Sequence, residues 1–99
     1  MSDFELKLSP ESIFQLNKIY EYFGGRGNKL EKLYEESGEF RDRFLLNDLD
    51  IKLTPAIVTE ICDIGSCFLQ LYFNEPIIRE GLNEVIMKAN KKIGEGYYR

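Results

Sequence analysis

The stretch TPAIVTEICDIGSCFLQLYF, residues 54–73, decides the fold, because it combines a clear helix start with a continuous apolar face. Thr54 followed by Pro55 is a pair that favours the first turn of an α-helix. Apolar side chains then recur in steps of three and four residues, at Ile57, Ile61, Ile64, Phe68 and Leu71. This spacing is typical of a helix with one buried face.

The same signals predict three further helices. Ser9 and Pro10 start the first, and the run GGRG ends it. An amphipathic stripe predicts the second helix. NEP ends the third helix and starts the fourth, in which the residues predicted to face inward are Ile78, Leu82, Val85, Ile86 and Ala89. The predicted helices cover residues 10–23, 28–46, 55–73 and 76–93. Four helices with short connections predict an all-α fold, a four-helix antiparallel bundle-like protomer formed by one domain over residues 1–99.

Composition narrows the classes of function. The chain has 99 residues, a formal charge of -4 and 43% hydrophobic residues. A mildly acidic protein is a poor match for nucleic acid or an anionic membrane, and no stretch is expected to span a bilayer. Cys62 and Cys67 lie five residues apart in one predicted helix, too far for an unstrained disulfide. Reduced thiols favour a cytoplasmic location.

Histidine is absent from the chain. Catalytic triads that use histidine and metal sites that use imidazole are therefore excluded. If the protein is an enzyme, either a carboxylate or a bound metal ion is expected to handle the proton of the attacking water.

Two acidic motifs border the apolar faces of consecutive helices. In YEESGEF, residues 34–40, Glu36 and Glu39 lie beside the apolar stripe; in EICD, Glu60 falls in the row of core-facing residues and Asp63 is three residues on. If these faces oppose each other, four carboxylates converge and repel one another. A divalent cation offsets that repulsion, and an all-oxygen ligand set favours Mg²⁺, with Mn²⁺ as the other candidate.

The two motifs resemble those of the MazG-like all-α nucleoside triphosphate pyrophosphatases, a superfamily that includes dCTP pyrophosphatases and dimeric dUTPases. That family has Glu-Glu-x-x-Glu, about 20 residues and then Glu-x-x-Asp, which stand here as Glu35–Glu39 and Glu60–Asp63. The resemblance covers roughly residues 15–93. It implies Mg²⁺-dependent hydrolysis of ribo- or deoxynucleoside triphosphates to the monophosphate and pyrophosphate. It also implies a homodimer or homotetramer, with metal-binding and catalytic roles for Glu36, Glu39, Glu60 and Asp63.

The candidates for binding the triphosphate are Asn28, Lys32, Lys88 and Asn90. Asn28 stands eight residues before Glu36, as an asparagine does in the dCTP pyrophosphatase branch. The family's last helix carries a lysine four residues before an asparagine; Asn90 matches the asparagine, whereas Ile86 occupies the lysine position and Lys88 is offset by two. The chain has no tryptophan to match those that hold the base in the dCTP-preferring branch, so base preference does not carry over.

Two other functions are compatible with the acidic helices. Phosphoribosyl-ATP pyrophosphohydrolase uses similar acidic-helix chemistry and differs in its substrate. A small acidic binding or inhibitor protein would use the carboxylates only as charge for a basic partner. Glu60 argues against this second alternative, because a recognition charge has no reason to lie in an apolar row.

Overall fold

The computed structural model of the chain, which describes residues 5–96, is all-α. Its helices are α1 (Pro10–Tyr22), α2 (Arg26–Leu46), α3 (Pro55–Asn74) and α4 (Pro76–Gly94), and no strand occurs within that range. The all-α prediction is confirmed. The two ends of the predicted domain, residues 1–4 and 97–99, lie outside the described residues.

The helix starts follow from local chemistry. Ser9 caps α1 by accepting a hydrogen bond from the Ser12 N–H, and Thr54 caps α3 by accepting one from the Ile57 N–H. Helix α2 begins two residues before the predicted Asn28. Gly24 and Gly25 have φ values of 91° and 79°, which only glycine adopts readily, and they turn the chain sharply enough for a helix to resume at Arg26.

Helix α3 is the centre of the fold. It packs against α1, α2 and α4, whereas the other helix pairs make marginal contact at most within the described residues. The predicted four-helix antiparallel bundle-like arrangement is not confirmed, because the helices pack on α3 rather than around a shared core. The buried apolar residues accordingly lie mainly on α3, at Ile57, Cys67, Leu71 and Tyr72, with Tyr20 from α1.

The central position of α3 accounts for its composition. Among the described helices it alone is long and apolar enough to meet the length and hydropathy criteria for a membrane span, with a mean hydropathy of 1.3 over its best window. This differs from the sequence expectation that no stretch qualifies. A core helix meets the same criteria, and α3 carries the carboxylates of Glu60 and Asp63 while three helices pack around it. The composition is therefore compatible with a soluble protein.

The chain forms an open rather than a compact structure. Its radius of gyration is 16.1 Å, against about 13 Å for a compact chain of this length. Its accessible surface is 7773 Å², whereas a compact monomer of this mass exposes about 5,800 Å². Helix α4 has no buried residue, and Val85, predicted to face inward, is 61% exposed. The reason is that α4 packs on α3 without a further helix over its outer face.

Candidate metal centre

The facing sides of α2 and α3 bring together carboxylates from both acidic motifs. One carboxylate oxygen each from Glu36, Glu60 and Asp63 lies within 4.8 Å of the others. Glu36 is 4% exposed and Glu60 is 8% exposed, while Asp63 lies at the surface. Glu60 is buried because it shares its row with Cys67 and Leu71, which face the core. The structure thus assembles three of the four predicted acids into one cluster.

Both buried carboxylates lack partners for some of their oxygens. Glu36 Oε1 accepts from Lys32 Nζ at 3.0 Å, and Glu60 Oε1 lies 3.9 Å from Arg43 Nε. The second oxygen of each, Oε2, is buried and has no hydrogen-bond partner in the described part of the chain. An unpaired buried carboxylate oxygen is costly. Two such oxygens, from facing helices and within one cluster, fit a site for a hard cation that prefers oxygen ligands.

Lys32 shapes the electrostatics of the cluster. Its hydrogen bond holds the pKa of Glu36 below the usual range, and burial opposes that shift only in part. The same interaction raises the pKa of Lys32. Lys32, a predicted substrate-binding residue, thus lies next to the acids and forms an ion pair with one of them.

Glu39 stands at the edge of the cluster. Its side chain is exposed and is not among the three carboxylates that converge. Interaction with the Glu36 carboxylate, and secondarily with Glu60, raises the pKa of Glu39. Glu39 also lines an open hollow of about 360 Å³ together with Glu60. It is therefore close enough to act on a ligand in that hollow while remaining accessible to water.

The remaining predicted substrate-binding residues lie away from the cluster. Asn28 is exposed in the first turn of α2, which places it about 12 Å along the helix from Glu36. Lys88 and Asn90 are exposed on α4 and line a separate hollow with Met87 and Lys91. None of the predicted acids lines that hollow, so within the described residues Lys88 and Asn90 are not brought to the carboxylates.

Two basic residues of α2, Lys29 and Arg43, lie near the site but were not predicted from the sequence. Arg43 flanks Glu60, as described above. Lys29 is 5% exposed, and its Nζ lies 5.0 Å from the centroid of the Phe23 ring. Lys29 and Glu36 also lie close enough to the buried Cys67 thiol to act on it, although burial is the main cause that raises the pKa of Cys67. Lysine and arginine on a polar helix face give no signal of such placement in a single sequence.

Three comparisons with known proteins identify no relative. No protein-family model matches the chain, and no curated protein or solved structure is significantly similar to it.

Proposed function

We propose that the protein is a Mg²⁺-dependent, MazG-like pyrophosphohydrolase that converts nucleoside or deoxynucleoside triphosphates to the monophosphate and pyrophosphate. The observation that carries the proposal is the pair of buried, unpartnered oxygens, Glu36 Oε2 and Glu60 Oε2, beside Asp63. Carboxylates used only as surface charge do not need to be buried. This favours a cation site over the acidic binding protein.

Glu36, Glu60 and Asp63 are the proposed ligands, with Glu39 beside them. Mg²⁺, or Mn²⁺ in its place, would neutralise negative charge on the phosphoryl oxygens and orient the triphosphate. Burial of Glu36 and Glu60 would favour this chemistry, because electrostatic interactions are stronger where little water is present.

Glu39 is the proposed general base. It is the one predicted acid that lies outside the converging three, and it faces the hollow where a substrate would lie. Its carboxylate would accept the proton of the attacking water as the water oxygen bonds to the α-phosphorus. The bond from that phosphorus to the bridging oxygen breaks, and pyrophosphate leaves with its electron pair. No histidine is available for this transfer.

The proposal includes a homodimer or homotetramer in the cytoplasm. The surface exceeds that of a compact monomer by nearly 2,000 Å², the order of area that a stable interface buries. Large apolar side chains on the outer helices contribute to this excess: Phe14, Tyr22, Ile77, Val85 and Ile93, each at least 60% exposed. In such an assembly, α4 of a second protomer is the proposed source of the Lys88 and Asn90 side chains that would bind the triphosphate beside the carboxylates.

Pyrophosphate release tests the proposal directly. The substrates are ribo- and deoxynucleoside triphosphates and phosphoribosyl-ATP, each with Mg²⁺ or with a chelator. We expect Mg²⁺-dependent release by the wild type, and a loss of about 10²-fold or more in kcat/KM for Glu60→Gln. Glu35→Gln is the matched control, because Glu35 carries the same charge in the other acidic motif but its side chain is 62% exposed.

The outcomes separate the candidate functions. Turnover of phosphoribosyl-ATP in preference to free nucleotides would assign the first alternative. A properly folded protein that releases pyrophosphate from none of these compounds, or equal loss in Glu35→Gln and Glu60→Gln, would overturn the proposal. The acidic binding protein predicts no metal dependence at all.

A further inference from the structure

Arg43 and Glu60 form a loose ion pair between the last turn of α2 and the start of α3. The distance of 3.9 Å from Arg43 Nε to Glu60 Oε1 is too long for a hydrogen bond. The Arg43 side chain is 55% exposed, whereas that of Glu60 is only 10% exposed. A guanidinium held this weakly at the surface is free to turn to another anion at little cost.

Arg43 also stands in the wall between two hollows. The larger, of about 360 Å³, is lined by Glu39, Asp42, Arg43, Leu46 and Glu60. The smaller, of about 170 Å³, is lined by Arg43, Leu46, Asn47, Thr54, Ala56 and Ile57. Together they reach the size of a small-molecule site. Among the described residues that line the two hollows, Arg43 alone is cationic. It lines both the larger hollow, which contains the acids, and the smaller one, which contains none.

We infer that Arg43 binds a phosphate group of the substrate in the hollow that it shares with Glu39 and Glu60, and that it does so once Glu60 serves as a cation ligand. This inference rests on the proposed function. While the Glu60 carboxylate is uncompensated, its charge attracts the guanidinium. Ligation offsets that charge, so the guanidinium loses its partner. Its planar fork of N–H donors then suits two oxygens of one phosphate.

A simpler role for Arg43 is to offset the dipole at the end of α2, since it is a basic residue in the last turn of that helix. That role affects stability and leaves ligand binding unchanged. The pairing with Glu60 and the position between the hollows are not needed for it.

Binding measurements on the full chain test the inference without relying on turnover. Mn²⁺ affinity is measured by electron paramagnetic resonance, and binding of inorganic triphosphate to the Mn²⁺-saturated protein by calorimetry. The variants are Arg43→Met, Arg43→Lys and, as the matched control, Arg41→Met. Arg41 lies on the same stretch of α2, carries the same charge, and pairs with Asp42 rather than with the cluster. Inorganic triphosphate serves as the probe because it needs no knowledge of the base.

Arg43→Met is expected to change the affinities for Mn²⁺ and for triphosphate in opposite directions. Removing a cation beside Glu60 tightens Mn²⁺ binding by about twofold to fivefold, and losing a charge-assisted contact weakens triphosphate binding by about tenfold. Arg43→Lys keeps the charge and weakens triphosphate binding by only about threefold. Arg41→Met changes neither affinity by more than about twofold, because its side chain is exposed and outside the cluster.

The outcomes distinguish a failure of this inference from a failure of the proposed function. Equal weakening of triphosphate binding in Arg41→Met and Arg43→Met, or none in either, overturns the role of Arg43 and leaves the metal site standing. A wild-type protein that binds Mn²⁺ but no triphosphate also overturns it. A wild-type protein that binds no Mn²⁺ overturns the proposed function itself.

Discussion

Tyr20 donates a hydrogen bond to Glu75 Oε1 at 2.6 Å, and this contact ties α1 to the single residue that joins α3 to α4. The two residues are 55 positions apart in sequence. The Tyr20 ring is buried and packs beside Gly25, the residue immediately before α2. Arg26 Nε lies 3.9 Å from the same Glu75 oxygen. The Tyr20–Glu75 hydrogen bond and the Arg26–Glu75 contact together thus connect the ends of all four helices.

Tyr20 makes stability depend on pH in the alkaline range. Burial first, and then the hydrogen bond to Glu75, raises the pKa of Tyr20 from 10.0 to about 12. Its folded-state pKa lies above the unfolded value, so its contribution is complete below pH 10 and is lost as the pH rises towards 12. We expect urea denaturation to show a steeper fall in stability above pH 10 for the wild type than for Tyr20→Phe; parallel pH curves would contradict this.

The helices of this fold were predictable because their signals are local. Ser9 and Thr54 act within one turn of themselves, and apolar spacing identifies a helix without reference to its neighbours. The position of each helix in the fold depends instead on contacts such as Tyr20–Glu75, which no periodicity contains. The apolar composition of α3 is consistent with its central position, but that composition alone did not predict which helix lies at the centre. For the same reason the sequence placed Val85 inward.

The candidate site was predictable in part. Glu60 lies in an apolar row, so its burial follows from helix geometry. Glu36 was expected at the border of its stripe and is instead 4% exposed, because α3 packs over that side of α2. Arg43 and Lys29 could not be identified, since a basic residue on a polar face resembles a solvated one until the facing helix is known.

The buried acids predict a direct effect of Mg²⁺ on stability. Saturating Mg²⁺ at 100 times its Kd stabilises the wild type by about 2.7 kcal/mol, which raises Tm by about 10 °C or more. Glu60→Gln removes a ligand and also a buried charge, so we expect no Mg²⁺ response and a metal-free Tm at least equal to that of the wild type. Thermal scans with Mg²⁺ or with a chelator measure both. Glu35→Gln should retain the full Mg²⁺ response, and a wild type with none would contradict the site.

Gly38 offers a test of the space beside the carboxylates. It lies inside α2, and a Cβ built there meets nothing within 4 Å. Gly38→Ala should therefore stabilise the protein by about 0.5–1 kcal/mol through helix propensity alone. Gly65→Ala in α3 is the matched control, since its Cβ also meets nothing. Equal stabilisation in denaturant titrations is expected for both, and lower pyrophosphate release in Gly38→Ala alone would show that substrate or a second protomer uses this space.

The open surface of the protomer predicts assembly in solution. Apolar side chains such as Val85 and Ile77 on α4 are more than 60% exposed, and burying them against a second copy offsets the cost of association. We expect light scattering after size-exclusion chromatography to give a mass of two or four chains. Val85→Glu should shift this mass towards one chain by placing a charge in the interface. Leu53→Glu makes the same change at an exposed position between α2 and α3 and should leave the oligomer intact. A monomeric wild type at micromolar concentration would contradict the assembly. A Val85→Glu variant with unchanged mass would contradict the part that is assigned to α4.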